Sequence, residues 1–242
     1  MKKTKKKVFV VALAVCLLAI LSMSSLAWFS AQDSVKNNFY VADSSDNNPE
    51  EIFSVDVYEK HDYDDNGTLD EFQSGISYKD VLPGDELEKI AIVKNTGYYD
   101  QYIRVIITMS DAANWKAILG SEFGEAAVLG LFGGLDQTKW NHITVETLDA
   151  SDEIRIVMYY NGILDGSDEG DDVAEITVFN NVKIPTVMDQ EDASHFDDDG
   201  YWGFTIGVKA QAVQTENVVP EGTAAEDAAW AAFETVKMAI DA

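Results

Sequence analysis

The stretch VLPGDELEKIAIVKNTGYYDQYIRVIIT, residues 81–108, decides the fold class. Pro83, Gly84 and Asp85 spell a turn. Residues 88–94 then alternate, with Ile90, Ile92 and Lys94 set against Ala91 and Val93, as a strand requires. Asn95, Thr96 and Gly97 make a second turn. Residues 101–109 return as another strand, with Tyr102, Val105 and Ile107 among its apolar positions.

Outward from that stretch the same pattern repeats. Residues 52–58, 143–148, 153–160, 176–182 and 203–213 are rich in Val, Ile, Thr, Phe and Tyr and are bounded by Gly, Asn, Asp and Pro. Many short strands with turn signals between them predict an all-β fold, a jelly-roll-like β-sandwich. Two helical stretches interrupt it. Residues 111–133 read as an insertion of short helices. Residues 223–240 read as a C-terminal helix, opened by a capping box of Thr223 and Glu226 and carrying a stripe of Trp230, Phe233, Val236 and Ile240. Such a stripe more often packs on its own domain than on a partner. The acidic stretches 43–51, 165–172 and 189–199 read as solvated loops.

The N-terminus has a different character. Lys2, Lys3, Lys5, Lys6 and Lys7 precede an apolar run over residues 8–23, and Ser25 and Ala27 place small side chains three and one residues before a cut. Basic head, apolar middle and small-x-small exit make a secretory signal, cleaved between Ala27 and Trp28. The alternative is an uncut anchor, since residues 8–29 are long enough to span a bilayer and the lysines would stay inside. Either way the body of the chain is expected outside the cell. The chain thus divides into a signal peptide (1–27), an N-terminal acidic segment (28–51) and the sandwich domain (52–242).

The formal charge of the chain is −26, and losing a leader with five lysines and no acid takes it to −31. This excludes a nucleic-acid binder, which needs clustered Lys and Arg. It also disfavours contact with anionic lipid, so a membrane is met only through an uncut leader. Subunits repel one another unless salt, calcium or specific contacts offset the charge. Cys16 is the only cysteine and lies in the leader. The mature chain forms no disulfide, and its core must be large enough to stand without one.

Residues 81–108 resemble the TasA/camelysin family of secreted proteins from Gram-positive bacteria. Three further pieces share the resemblance. LAWFSAQDSVKNNF, residues 26–39, is similar to leaders cut by a SipW-type signal peptidase. YYNGILDGSDEGDD with VFNNVKIP, over residues 159–185, resembles an internal run of the family, and VKAQAVQTENV, residues 208–218, resembles its closing strand. The resemblance implies a jelly roll with a helical insertion and a role as a fibre subunit of the biofilm matrix or cell surface. Its partners would be copies of itself or a related matrix subunit. It further implies that residues 28–40, freed by cleavage, are donated as a strand to the next subunit. Trp28, Phe29, Val35 and Phe39 would be the residues of that assembly strand. The plainer alternative is a frayed terminus, with Phe39 opening the first strand of its own domain.

Little points to chemistry. Asp62, Asp64, Asn66, Thr68 and Asp70 match the first nine positions of a calcium loop, with Gly67 at its sharp turn. The twelfth position is Gln73 rather than a bidentate Glu, so an ordinary Asp-Asn-Gly hairpin tip is the preferred reading. No cofactor is expected, calcium in this loop being the alternative. His61, His142 and His195 are far apart and unpaired, unlike zinc-peptidase ligands, and no Gly-x-Ser-x-Gly elbow occurs. No catalytic residue is assigned. Two competing readings are a monomeric binding module, calcium-dependent if this loop takes the ion, and a camelysin-like metallopeptidase.

Overall fold

A computed structural model describes residues 30–34, 37–39, 53–61, 68–72, 78, 81–167, 173–186 and 204–240. Eleven strands among them form two antiparallel sheets. The chain runs β1 (Ser30–Ser34), β2 (Asn37–Phe39), β3 (Val55–His61), β4 (Asp70–Phe72), β5 (Glu86–Asn95) and β6 (Gln101–Ser110). Helices α1 (Ala112–Leu119) and α2 (Glu125–Gly130) follow. Next come β7 (Phe132–Gly133), β8 (Trp140–Leu148), β9 (Glu153–Tyr160), β10 (Glu175–Lys183), β11 (Ile206–Gln214) and helix α3 (Ala228–Val236). One sheet has the order β2-β1-β11-β6-β9-β8, the other β4-β3-β5-β10-β7. The all-β sandwich with a helical insertion and a C-terminal helix is therefore the fold.

Alternation explains which residues fill the space between the sheets. From β5, Ala91 and Val93 point inward; from β6, Ile103, Val105, Ile107 and Met109; from β9, Ile154, Ile156 and Met158. The insertion closes this core, burying Trp115, Val128 and Leu129, and Trp115 meets Phe204 edge-on with ring centroids 4.9 Å apart. Asp152 holds the start of α1: its carbonyl and its carboxylate accept the Ala112 and Ala113 N–H groups. Before β5, Gly84 sits at φ 92° and the Asp85 N–H donates to the Leu82 carbonyl. This is the Pro-Gly turn that glycine makes possible.

Part of the outer face of the six-stranded sheet is buried as well. Tyr102, Ile106, Val157, Tyr159 and Val213 pack under Ala229, Ala232 and Phe233 of α3. Residues 223–240 do not form one helix. A short 3-10 turn, Ala225–Asp227, leads into α3, which ends where Lys237 turns left-handed. Thr223 caps nothing; its hydroxyl donates to the Pro220 carbonyl and closes a turn. Asp227 occupies the cap position without a capping bond. Its carboxylate instead accepts from Asn141 Nδ2 at 3.0 Å and lies 2.9 Å from His142 Nε2. His142 stacks on Trp230, with centroids 4.5 Å apart.

Two charge arrangements fasten the other sheet. Glu59 and Lys89 point into the sandwich and pair with each other, their side chains 1% and 6% exposed. The Tyr78 hydroxyl donates to the Glu88 carbonyl beside them, and burial, with the Glu59 and Glu88 charges, pushes its pKa up. On the outer face, Lys60 and Lys94 both bridge Glu71 of β4 and Glu175 of β10, at 2.7–3.6 Å. The Lys94 hydrogen bond is the largest cause that lowers the Glu71 pKa; burial opposes it and Lys60 assists it. Burial works against the Lys60 charge, yet its bonds to Glu71 and Glu175 outweigh this and raise its pKa.

A carboxylate whose folded pKa is depressed contributes stability above its unfolded value and loses it as pH falls through the folded one. The β4 ladder should accordingly loosen in acid before β6 does. Hydrogen exchange of β4 amides, corrected for intrinsic rate, should accelerate as pH drops below roughly 4.3, the unfolded carboxylate value. Glu71→Gln should remove that pH dependence.

Candidate assembly site

The N-terminal strand lies on the chain's own sheet. β1 pairs antiparallel with β11 from Ser30 opposite Val213 to Ser34 opposite Lys209. β2 folds back on β1, with Phe39 opposite Gln32. Of the residues expected in an assembly strand, Phe39 ends β2, while Trp28, Phe29 and Val35 lie outside the described residues, as does Ala27. The strand expected over 28–40 is thus two short strands, and the edge they fill is β11.

β11 suits an edge that receives a strand. It sends Val208, Ala210 and Ala212 into the core and Lys209, Gln211 and Val213 outward. The alanines keep its inner face low where β1 and β11 come close to β3. From the outside it is held by Arg104. That guanidinium is buried, donates to Gln211 Oε1, and donates to the carbonyls of Met238 and Ala239 at 3.0 and 3.1 Å. Gln211 Nε2 also donates to the Ala239 carbonyl, at 3.1 Å. The ring centroid of Phe233 lies 4.4 Å from the guanidinium carbon. Burial pulls the Arg104 pKa down, and the Tyr159 hydroxyl and the Glu234 charge oppose it. Arg104 therefore ties the C-terminal tail to the strand whose Gln211 stands opposite Gln32 of β1.

Lysine cannot reproduce this fork, because an ammonium offers neither the planar geometry nor the stacking face. Arg104→Lys should cost about 2 kcal/mol, since hydrogen bonds from a charged donor are lost in a buried site. Urea unfolding would measure it, and exchange of the tail amides should rise in the same variant.

Asn95 organises the end of the sandwich where β1 begins. Its side chain is fully buried, and Nδ2 donates to the carbonyls of Tyr99, Leu164 and Asp165 at 2.9–3.0 Å. Oδ1 accepts the Gly97 N–H, and the Asn95 N–H itself donates to the Ala174 carbonyl. One residue thus gathers the β5–β6 turn, the segment after β9 and the lead-in to β10. The first two are zipped further. Gly166 N donates to Asp100 Oδ1, and a Cβ at Gly166 would fall 2.1 Å from the Tyr98 carbonyl oxygen, so only glycine fits. The Thr215 N–H, just past β11, donates to the Asp100 carbonyl.

No family model, curated protein or solved structure matches the chain. The chain's own residues therefore carry the functional argument.

The calcium-loop residues divide. Asp62, Asp64 and Asn66 lie outside the described residues. Thr68 precedes β4, and Asp70 opens it opposite His61, so the loop connects the two arms of a β3–β4 hairpin. Among the described residues no group of three His, Cys, Asp or Glu side chains is placed to hold a metal ion. His61 ends β3, His142 sits at φ 47° in a bulge of β8, and His195 lies outside the described residues. Among the described residues no helix is long and apolar enough to cross a membrane; the leader is not among them.

Arg104 and Gln211 escape a reading of the sequence. Both sit at outward positions of strands, where a polar residue signals solvent, and only α3 and its tail turn that face into an interior. Asn95 was legible as a turn residue but not as the hub of three loops.

Proposed function

We propose that this chain is a secreted structural subunit that builds extracellular fibres by donating β1 to the β11 edge of the next copy. One observation carries the reading. β1 and β2 stand ahead of the sandwich, separated from β3 by residues 40–54, and among the described residues the strand of the domain they pair with is β11, which without them is a sheet edge. A β1 from another copy would form the same five-residue ladder on β11, so exchange conserves the native bonds. Each copy gives one strand and receives one, which makes the contact head-to-tail and open-ended. The resemblance to the TasA/camelysin family supports the same reading, with the leader withholding β1 until it is cut.

The test compares a form beginning at residue 28 with one beginning at residue 54, each with and without calcium. Light scattering and negative-stain microscopy report size. Fibres from the longer form alone are the expected result. Equally well-folded monomers from both would favour the binding module instead.

A further inference from the structure

We infer that the free edge of β8 is a further contact surface, which pairs antiparallel with β8 of a second copy about a two-fold axis at Val145. The inference does not rest on strand exchange, which uses the opposite margin of the same sheet.

Two sheets present four margins, and among the described strands three of these are blunted. β2 and β4 have three residues each and β7 has two. β4 also carries Asp70 and Glu71, charges of the kind that discourage pairing. β8 closes the six-stranded sheet with nine residues. Its first part is guarded. The ladder to β9 slips between Asn141 and Thr144, where His142 turns to φ 47°, and Asn141 Nδ2 donates to the Glu226 carbonyl ahead of α3. From Thr144 the guard ends. Thr144 to Leu148 stand in unbroken register with Val157 to Glu153, and Thr144 and Glu146 are exposed. Among the described residues, the backbone of Thr144 to Thr147 makes no hydrogen bond apart from that ladder. In an antiparallel pair every second residue turns both its N–H and its C=O away from the neighbour. This part of β8 therefore offers a row of open groups to a strand laid alongside it.

Charge and register point to the same strand of another copy as the occupant. The chain carries −26, so copies meet at least cost where the acids are already answered. At this margin Arg155 lies 2.8 Å from Glu146, and Lys116 lies 3.6 Å from Asp149. The neighbouring acids are engaged too, since Glu153 accepts from the Ser151 hydroxyl and Asp152 from the Ala113 N–H. A second β8 brings an edge of equal length with the same open groups, and a two-fold axis satisfies both edges at once. An axis at Val145 sets Thr144 opposite Glu146 and Ile143 opposite Thr147, each twice. An axis at Glu146 would put two carboxylates directly opposite each other. One at Thr144 would draw His142 in from the bulge, and one at Thr147 would run into the turn that the Ser151 N–H closes on the Leu148 carbonyl. A ladder this short buries little area, so one pair of copies holds weakly and gains strength where many are kept close together.

The chain beginning at residue 28 has no cysteine, so single engineered thiols report the contact. Thr144→Cys and Glu146→Cys are made in separate chains and oxidised mildly, each alone and the two mixed. The mixture should link about 10-fold faster than either alone, because directly opposed residues suit a disulfide and diagonal ones do not. Intact mass should show one chain of each kind in the product. One thiol per chain stops the product at two chains, whether or not β1 has been exchanged, so strand exchange can fail without touching this result. No link, or equal rates in mixed and separate samples, would overturn the pairing. A second measurement needs no cysteine. Thr144→Lys places a cation opposite Glu146 and should tighten the dimer about 3- to 10-fold, while Thr144→Asp should loosen it by a similar factor. Sedimentation velocity below the concentration at which fibres form would read both. Ser121→Lys and Ser121→Asp, at an exposed position of the helical insertion, change the net charge equally and should leave the dimer as it was. If the two positions respond alike, net charge alone is at work and the β8 contact is overturned.

Discussion

Replacing Lys89 with methionine should lower folding stability by about 3–5 kcal/mol, the usual cost of breaking a buried ion pair by removing one partner. Glu59 has almost no access to solvent, and methionine cannot answer its charge. One companion separates this mechanism from simple mispacking. Glu59→Met with Lys89→Met removes both charges and should recover most of the loss. Urea unfolding of the parent, the single variant and the double variant would check this. A double variant no more stable than the single would assign the loss to packing.

The second large effect belongs to Asn95. Asn95→Ala deletes a buried group that satisfies three carbonyls and one N–H. These backbone groups belong to loops held together at that point, and water can reach only part of what is vacated. A loss of about 3 kcal/mol follows from several unmet buried polar groups, partly relieved by relaxation. Asn95→Asp is the sharper variant. It keeps the acceptor for Gly97 but turns a carboxylate oxygen toward three carbonyl oxygens. At neutral pH it should be at least as damaging as alanine. Some of its stability should return once the carboxyl is protonated. If aspartate behaves like the parent protein at neutral pH, the hub role of the Nδ2 group is wrong.

Most of the sandwich was legible because its strands alternate. The ladder from residue 81 to 108 was visible down to its turns, and the runs 153–160 and 176–182 differ from β9 and β10 by a residue at most. β4 and β7 left no trace, since three and two residues carry no period; register with a neighbour makes them strands. The helix at the C-terminus was visible as a stripe, but its start was misplaced. Thr223 and Glu226 have the spacing of a capping box, while the chain there is spent on a turn closed at Pro220. Glu59 offered a signal that was within reach. It shares the parity of Val55 and Val57, so alternation alone puts it inside, where a carboxylate needs a cation. Its partner Lys89 has the parity of Ala91 and Val93. Arg104 offered no such signal, because parity pointed it to a face that only distant residues cover.

That covered face has a consequence for how copies of this chain can be arranged. Over the Arg104 half of the six-stranded sheet, α3 and the tail already occupy the outer surface, and the other sheet occupies the inner one. Flat lamination of sheet against sheet, the dry stacking that gives cross-β fibrils their permanence, has no bare surface to use there. Under the strand-exchange proposal, copies would instead join at their margins, each unit would keep its own interior, and the array could be taken apart into folded units again.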